Sequence, residues 1–93
     1  MEFGWDPTKH EKNLRDRGIG FVRAARIFEG FVVEWLDSRR DYGEVRINAI
    51  GMADGELLRV TYTMREGGRL HWIITTWKAG KKDRDRWHAA QRA

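Results

Sequence analysis

Between residues 45 and 64 the chain alternates apolar and polar positions twice over. Val45, Ile47 and Ala49 are interleaved with Arg46 and Asn48, and Leu58, Val60, Tyr62 and Met64 with Arg59, Thr61 and Thr63. A period of two marks a strand with one buried face. Asp54-Gly55 between the two runs is a hairpin signal. Gly67-Gly68 then turns the chain into a further run, where Leu70, Trp72, Ile74 and Thr76 alternate with Arg69, His71, Ile73, Thr75 and Trp77. Upstream, Phe31-Val32-Val33-Glu34-Trp35-Leu36 is rich in β-formers and supplies the first strand, followed by a charged connection over residues 37–43. Connections this short force a four-stranded antiparallel meander, because parallel neighbours need a crossover of about a dozen residues.

The period changes on either side of these strands. Asp6-Pro7 is a helix start, Asp6 accepting a free amide and Pro7 giving up one that would be unpaired. The helix runs from Pro7 to Arg17, and Gly18 supplies a left-handed stop. Leu14 is its main apolar residue, and Lys9, Asn13 and Arg17 recur at four-residue spacing, a row that reads first as a solvated polar face. From Gly20, the residues Phe21, Ala24, Ala25 and Phe28 form the stripe of a short amphipathic helix. After Gly80 the pattern predicts a last helix to about Arg92, with Arg84, Trp87, His88 and Gln91 along one side. The fold class is therefore α+β: two N-terminal helices, a four-stranded antiparallel meander sheet and a C-terminal helix, in one domain spanning residues 1–93.

Composition narrows the function classes. A net charge of +4 over 93 residues fits an acidic partner or nucleic acid. Zero cysteines exclude disulfides, thiolate metal sites and thiol catalysis, and agree with a reducing cytosol. No apolar run approaches the ~18 residues of a spanning helix, so the sequence reads as a soluble cytoplasmic protein. Its histidines, at positions 10, 71 and 88, have no ligand spacing. No dinucleotide loop or serine elbow is present, and neither metal nor cofactor is expected.

If the more apolar set of each strand faces the core, the other face carries Arg46, Asn48, Arg59, Thr61, Thr63, Arg69, His71 and Thr75. That face is either the wet side of an antiparallel sheet or an anion-binding surface. Metal-free phosphodiester cleavage by a 2′-hydroxyl needs a proton acceptor, a proton donor and cations to hold the charge that builds on the phosphoryl oxygens. Arg and Lys supply cations, and His71 can act as acid or base near neutrality. A basic segment follows in Lys78, Lys81, Lys82, Arg84 and Arg86, interrupted by Asp83 and Asp85. Trp5, Trp35 and Trp72 read as core or core-edge residues. Trp77 and Trp87 either stack unpaired bases or fill the seam under the last helix.

An ordered set of residues then points to a family. Trp5-Asp6, Lys9, Asn13-Leu14-Arg15, Gly18, Phe21, Ala24-Ala25 and Ile27-Phe28 are followed by Asp41-Tyr42-Gly43-Glu44, Arg46 and Ile50-Gly51. Val60, Tyr62-Thr63, Ile73-Ile74 and Lys78-Ala79 complete it. In this order and spacing the chain resembles the BrnT toxins of bacterial type II toxin–antitoxin systems. The resemblance implies a RelE-like fold, a ribonuclease activity that arrests growth, and neutralisation by a BrnA-like antitoxin. That antitoxin's ribbon-helix-helix domain would make any contact with operator DNA. Lys9, Asn13, Arg46 and Lys78 carry over as matching positions. The chain departs from the family where Trp72 and Trp77 stand in place of arginines, where Asp16-Arg17-Gly18 replaces Lys-His-Gly, and where Gly80 and Asp83 replace a Thr-to-Glu capping box.

The expectation is a metal-independent endoribonuclease. In it Arg46, Arg69, His71 and Lys78 surround the scissile phosphate, while Lys9, Asn13, Arg59, Trp77, Lys81 and Lys82 hold RNA. The alternative is a weakened or inactive toxin-fold module acting through antitoxin binding and operon autoregulation.

Overall fold

Asp6 begins helix α1 (Pro7–Arg17), its Oδ1 accepting from the Thr8 amide at 2.9 Å with Pro7 in the first turn. Gly18 ends it at φ 71°, its amide donating to the Leu14 carbonyl at 2.9 Å. The computed structural model, which describes residues 1–92, continues with α2 (Phe21–Ala25) and a 3-10 turn at Arg26–Glu29. The predicted second helix is thus a short α-helix that tightens before Gly30. Strands β2 (Val32–Leu36), β3 (Ile47–Ala53), β4 (Glu56–Arg65) and β5 (Leu70–Lys78) form the expected antiparallel meander, and α3 (Lys81–Arg92) follows. Asp54 and Gly55 both take positive φ, 53° and 80°, as the tight β3–β4 hairpin requires.

The four-stranded antiparallel expectation needs correcting, because the sheet has five strands and is mixed. Glu2–Trp5 is a strand, β1, and it pairs parallel to β5 from Glu2↔Leu70 to Trp5↔Ile73, giving the order β1-β5-β4-β3-β2. Four residues containing a glycine are too few to show a period. The parallel pairing is sterically open because everything from α1 to β4 serves as the crossover.

Beyond Trp5, α1 takes over the edge of β5. Asn13 is buried on that helix, and its Nδ2 donates to the Thr76 carbonyl at 3.0 Å and to the Ile19 carbonyl at 2.8 Å. An amide side chain therefore replaces the missing strand at the point where β1 stops.

The main core lies between the N-terminal helices and one face of the sheet, with Ile19, Phe21, Ala24 and Ile27 against Ala49, Leu58, Val60 and Ile73. Gly51 lets the 3-10 turn sit directly on β3. A Cβ there would stand 2.9 Å from the Ile27 Cβ and 3.0 Å from the Val32 Cγ1. Gly51→Ala is expected to cost about 1–3 kcal/mol through this overpacking, read as a lower denaturant midpoint with an unchanged m-value.

The opposite face is partly roofed by α3, which packs on β2 and β3. Trp87 lies 5.4 Å from Phe31, and Ile50 is wholly buried beneath the helix. Trp87 therefore fills the seam, one of the two roles its sequence position allowed. No helix among the described residues is long and apolar enough to cross a membrane.

Candidate functional site

Strand β5 does not hold one alternation along its length. Tyr62 pairs with Ile73 but Thr61 pairs with Thr75, so Ile74 is an extra residue that reverses which face the flanking side chains meet. Past the bulge, Thr75 and Trp77 lie on the α3 side of the sheet with their partners Thr61 and Arg59, as alternation predicted. Before it the faces are exchanged. Trp72 pairs with Thr63 on the α3 side, while His71 and Ile73 turn to the core. The expectation that His71 lies on the cationic face is overturned. Its ring stacks on Tyr62 at 4.9 Å and lies 5.5 Å and 5.6 Å from Phe3 and Phe28.

On the α3 side, arginine and aromatic side chains interleave across the sheet. The Arg17 guanidinium lies 5.2 Å from the Trp77 ring centre, and Arg59 lies 5.1 Å from Trp77 and 5.3 Å from Trp35. Arg86 of α3 closes the series 3.8 Å over Trp35. Beneath it Thr61 and Asn48 are buried. In the amide orientation that satisfies its neighbours, Asn48 accepts from Trp35 Nε1 and Arg59 and donates to Thr61 Oγ1. Arg59 is further fixed by the buried carboxylate of Asp83, 3.5 Å away. A second pairing of this kind sets Arg65 4.2 Å over Trp72. Trp35 and Trp72, expected in or beside the core, belong to this face instead, because β2 and the pre-bulge half of β5 direct them there.

At the β5 edge a cleft of about 220 Å³ opens between α1 and the bulge, lined by Lys9, Lys12, Asn13, Arg17, Ile74 and Thr75 among others. Arg17 belongs to both features, since its Nη1 donates to the Thr75 hydroxyl at 3.3 Å and the Thr76 carbonyl at 3.1 Å. Asp16 is the one carboxylate among the lining residues, and Lys12 holds it at 2.6 Å. That contact keeps the Asp16 carboxyl below its ordinary range. Lys9 and Arg17 line this cleft together, and Arg17 also rests on the Trp77 ring, an arrangement suited to a phosphate and its neighbouring base.

Compared with family models, residues 5–83 match that of the ribonuclease toxin BrnT of type II toxin–antitoxin systems. The chain belongs to the BrnT family. No curated protein matches it. As a BrnT-family toxin it is a ribonuclease toxin of a type II toxin–antitoxin system, and the placement of the residues named from its sequence can be judged in that light.

The expected quartet of Arg46, Arg69, His71 and Lys78 does not surround one point. Arg46 stands 4.1 Å over Tyr42 and contacts Glu44 at 3.4 Å. Arg69 is exposed, just ahead of β5, and His71 faces the core. Lys78 sits at the far end of β5, about 25 Å along the strand from Leu70, paired with Glu56 at 2.9 Å. Of the residues expected to hold RNA, Lys9 and Asn13 come together at the cleft and Arg59 and Trp77 in the adjoining series, although Asn13 Nδ2 is committed to backbone carbonyls. Lys81 pairs with Asp85 at 2.8 Å, and Lys82 is exposed on α3. Sequence reasoning did not single out Lys12 or Arg17 as site residues. The Lys9, Asn13, Arg17 spacing was the available signal.

Burial lowers the His71 pKa, against a smaller opposing pull from Glu34, and Nδ1 has no hydrogen-bond partner. The folded chain therefore binds this proton less readily than the unfolded chain does. Stability is retained above the ordinary histidine value near 6.5 and falls as pH drops through it. His71→Phe is expected to flatten the loss of stability between pH 7 and 5, measured by thermal melts across that range. A slope unchanged from the parent refutes the assignment.

Proposed function

We propose that this BrnT-family chain is a metal-independent endoribonuclease of the cytoplasm that arrests growth and is neutralised by a BrnA-like ribbon-helix-helix antitoxin. The observation that carries the reading is the α1–β5 cleft, which Lys9, Arg17 and Thr75 line together, Arg17 donating to the Thr75 hydroxyl and resting on Trp77. The 2′-hydroxyl of one nucleotide gives its proton to water as its oxygen attacks the adjoining phosphorus, and the 5′-oxygen leaves with a proton from the chain, giving a 2′,3′-cyclic phosphate and a 5′-hydroxyl. Arg17 and Lys9 hold the charge that builds on the non-bridging oxygens, and the Lys9 ammonium is placed to protonate the leaving oxygen.

A second reading is favoured by the core-facing, largely buried His71. It removes the most obvious acid–base side chain from the cationic face and suits a weakened toxin fold that acts by binding its antitoxin and taking part in operon autoregulation.

Purified chain incubated with RNA in excess chelator decides between them. Cleavage leaving 2′,3′-cyclic phosphate ends, blocked by the co-purified antitoxin, is the expected result. Cleavage that stops with chelator refutes the metal-free step, and intact RNA with harmless expression leaves the second reading.

A further inference from the structure

The Trp77 ring is flanked by two cations of unequal freedom. Arg59, on the β4 side, is mostly buried and tied to Asp83 and Asn48. Arg17 reaches the ring from the opposite side of β5, is exposed, and is otherwise held only by the Thr75 hydroxyl and the Thr76 carbonyl. A cation resting on an exposed aromatic face contributes only roughly 2- to 5-fold to an equilibrium. A nucleic-acid base stacked on the same face contributes roughly 5- to 150-fold, and a guanidinium released from the ring gains a charge-assisted bond to phosphate. The exchange favours the base on both counts. It also has somewhere to put the displaced group, since Arg17 already lines the cleft that Lys9 and Lys12 share.

We propose that Trp77 is a base-stacking site for single-stranded RNA, occupied by the Arg17 guanidinium in the free protein and vacated when Arg17 moves onto a backbone phosphate in the α1–β5 cleft. The proposal rests on the ribonuclease reading for its choice of RNA. It adds the substrate class: an unpaired base must reach the ring, so a duplex, whose bases are stacked on one another, is a poor ligand. The pairing of Arg65 with Trp72 repeats the arrangement further along β5.

The test uses a 2′-O-methyl oligoribonucleotide, which cannot be cut by 2′-hydroxyl attack, so that binding is read whether or not the chain cleaves. The parent is expected to bind it at least about fivefold more tightly than an all-abasic oligomer of the same length and than the same strand annealed to its complement. Trp77→Ala loses the preference for bases, Trp77→Phe keeps most of it, and thermal melts establish that each variant is folded. Arg17→Gln lowers the slope of log affinity against log salt by about one phosphate contact. Equal binding of the abasic oligomer or the duplex by the parent overturns the proposal. So does an unchanged preference in Trp77→Ala, an unchanged salt slope in Arg17→Gln, or no binding at all. A chain that binds as expected but leaves cleavable RNA intact fails the ribonuclease reading and keeps this one; a chain that cuts RNA with a base-indifferent Trp77 does the reverse.

Discussion

Arg17→Ala lowers RNA cleavage by about a hundred- to a thousandfold while leaving the fold intact. The size follows from the removal of one preorganised cation from charge developing in the transition state, which costs roughly 10²–10³ in rate where the donor is well aimed. Arg17 needs only a short move to be so aimed, since the bonds from its Nη1 to Thr75 and Thr76 hold the guanidinium at the mouth of the cleft beside Trp77. The fold tolerates the change because the side chain is exposed and the Thr76 carbonyl keeps its bond from Asn13. Arg17→Lys recovers only part of the rate, a compact ammonium being unable to form a two-pronged contact with phosphate. Initial rates normalised to the folded fraction check this. A rate within threefold of the parent places the chemistry elsewhere.

Asn13→Ala acts on the neighbouring residue of the same row through stability. Its Nδ2 is the hydrogen-bond donor recorded for the Ile19 carbonyl, where the chain passes from α1 to α2, and it shares the Thr76 carbonyl with Arg17. Deleting it leaves a buried carbonyl without a partner and opens space at the β5 edge, a loss of about 2 kcal/mol, or roughly 8–16 °C in melting temperature for a domain of this size. Asn13→Asp is worse, because a carboxylate oxygen would then face two carbonyl oxygens. Thermal melts of both variants measure the effect. A shift below about 2 °C for Asn13→Ala would mean that the bonds contribute little.

These two residues also show what the sequence conveys and what it withholds. The helix boundaries at Asp6-Pro7 and Gly18, the β3–β4 hairpin at Asp54-Gly55 and the faces of β3 and β4 are local, and local chemistry specifies them. Strand β1 is not local. Phe3 and Trp5 gain a strand's hydrogen bonds only because Leu70–Ile73 lie alongside. The bulge at Ile74 is nearly as hidden, since the adjacent Ile73-Ile74 breaks the alternation of β5 without saying which residue is extra, and that single residue is enough to carry His71 from the expected site into the core. Arg17 was visible as one member of a row of three at four-residue spacing. Its meeting with Thr75 and Trp77 depends on α1 replacing β1 at the sheet edge, which no periodicity reports. The arginine–tryptophan series draws on α1, β2, β4, β5 and α3, so each residue looks isolated when the chain is taken in order.

The parallel pairing of β1 with β5 has a consequence for how the protein is born. Glu2 leaves the ribosome well before its partner Leu70 is made, and contacts so distant in sequence form late. Until then β1 has no neighbour, and the cleft that needs both Arg17 and Thr75 has only one wall. A nascent chain stalled before β5 therefore carries neither the closed sheet nor the site. In the cell, a toxin built this way cannot take its folded form until β5 has been made.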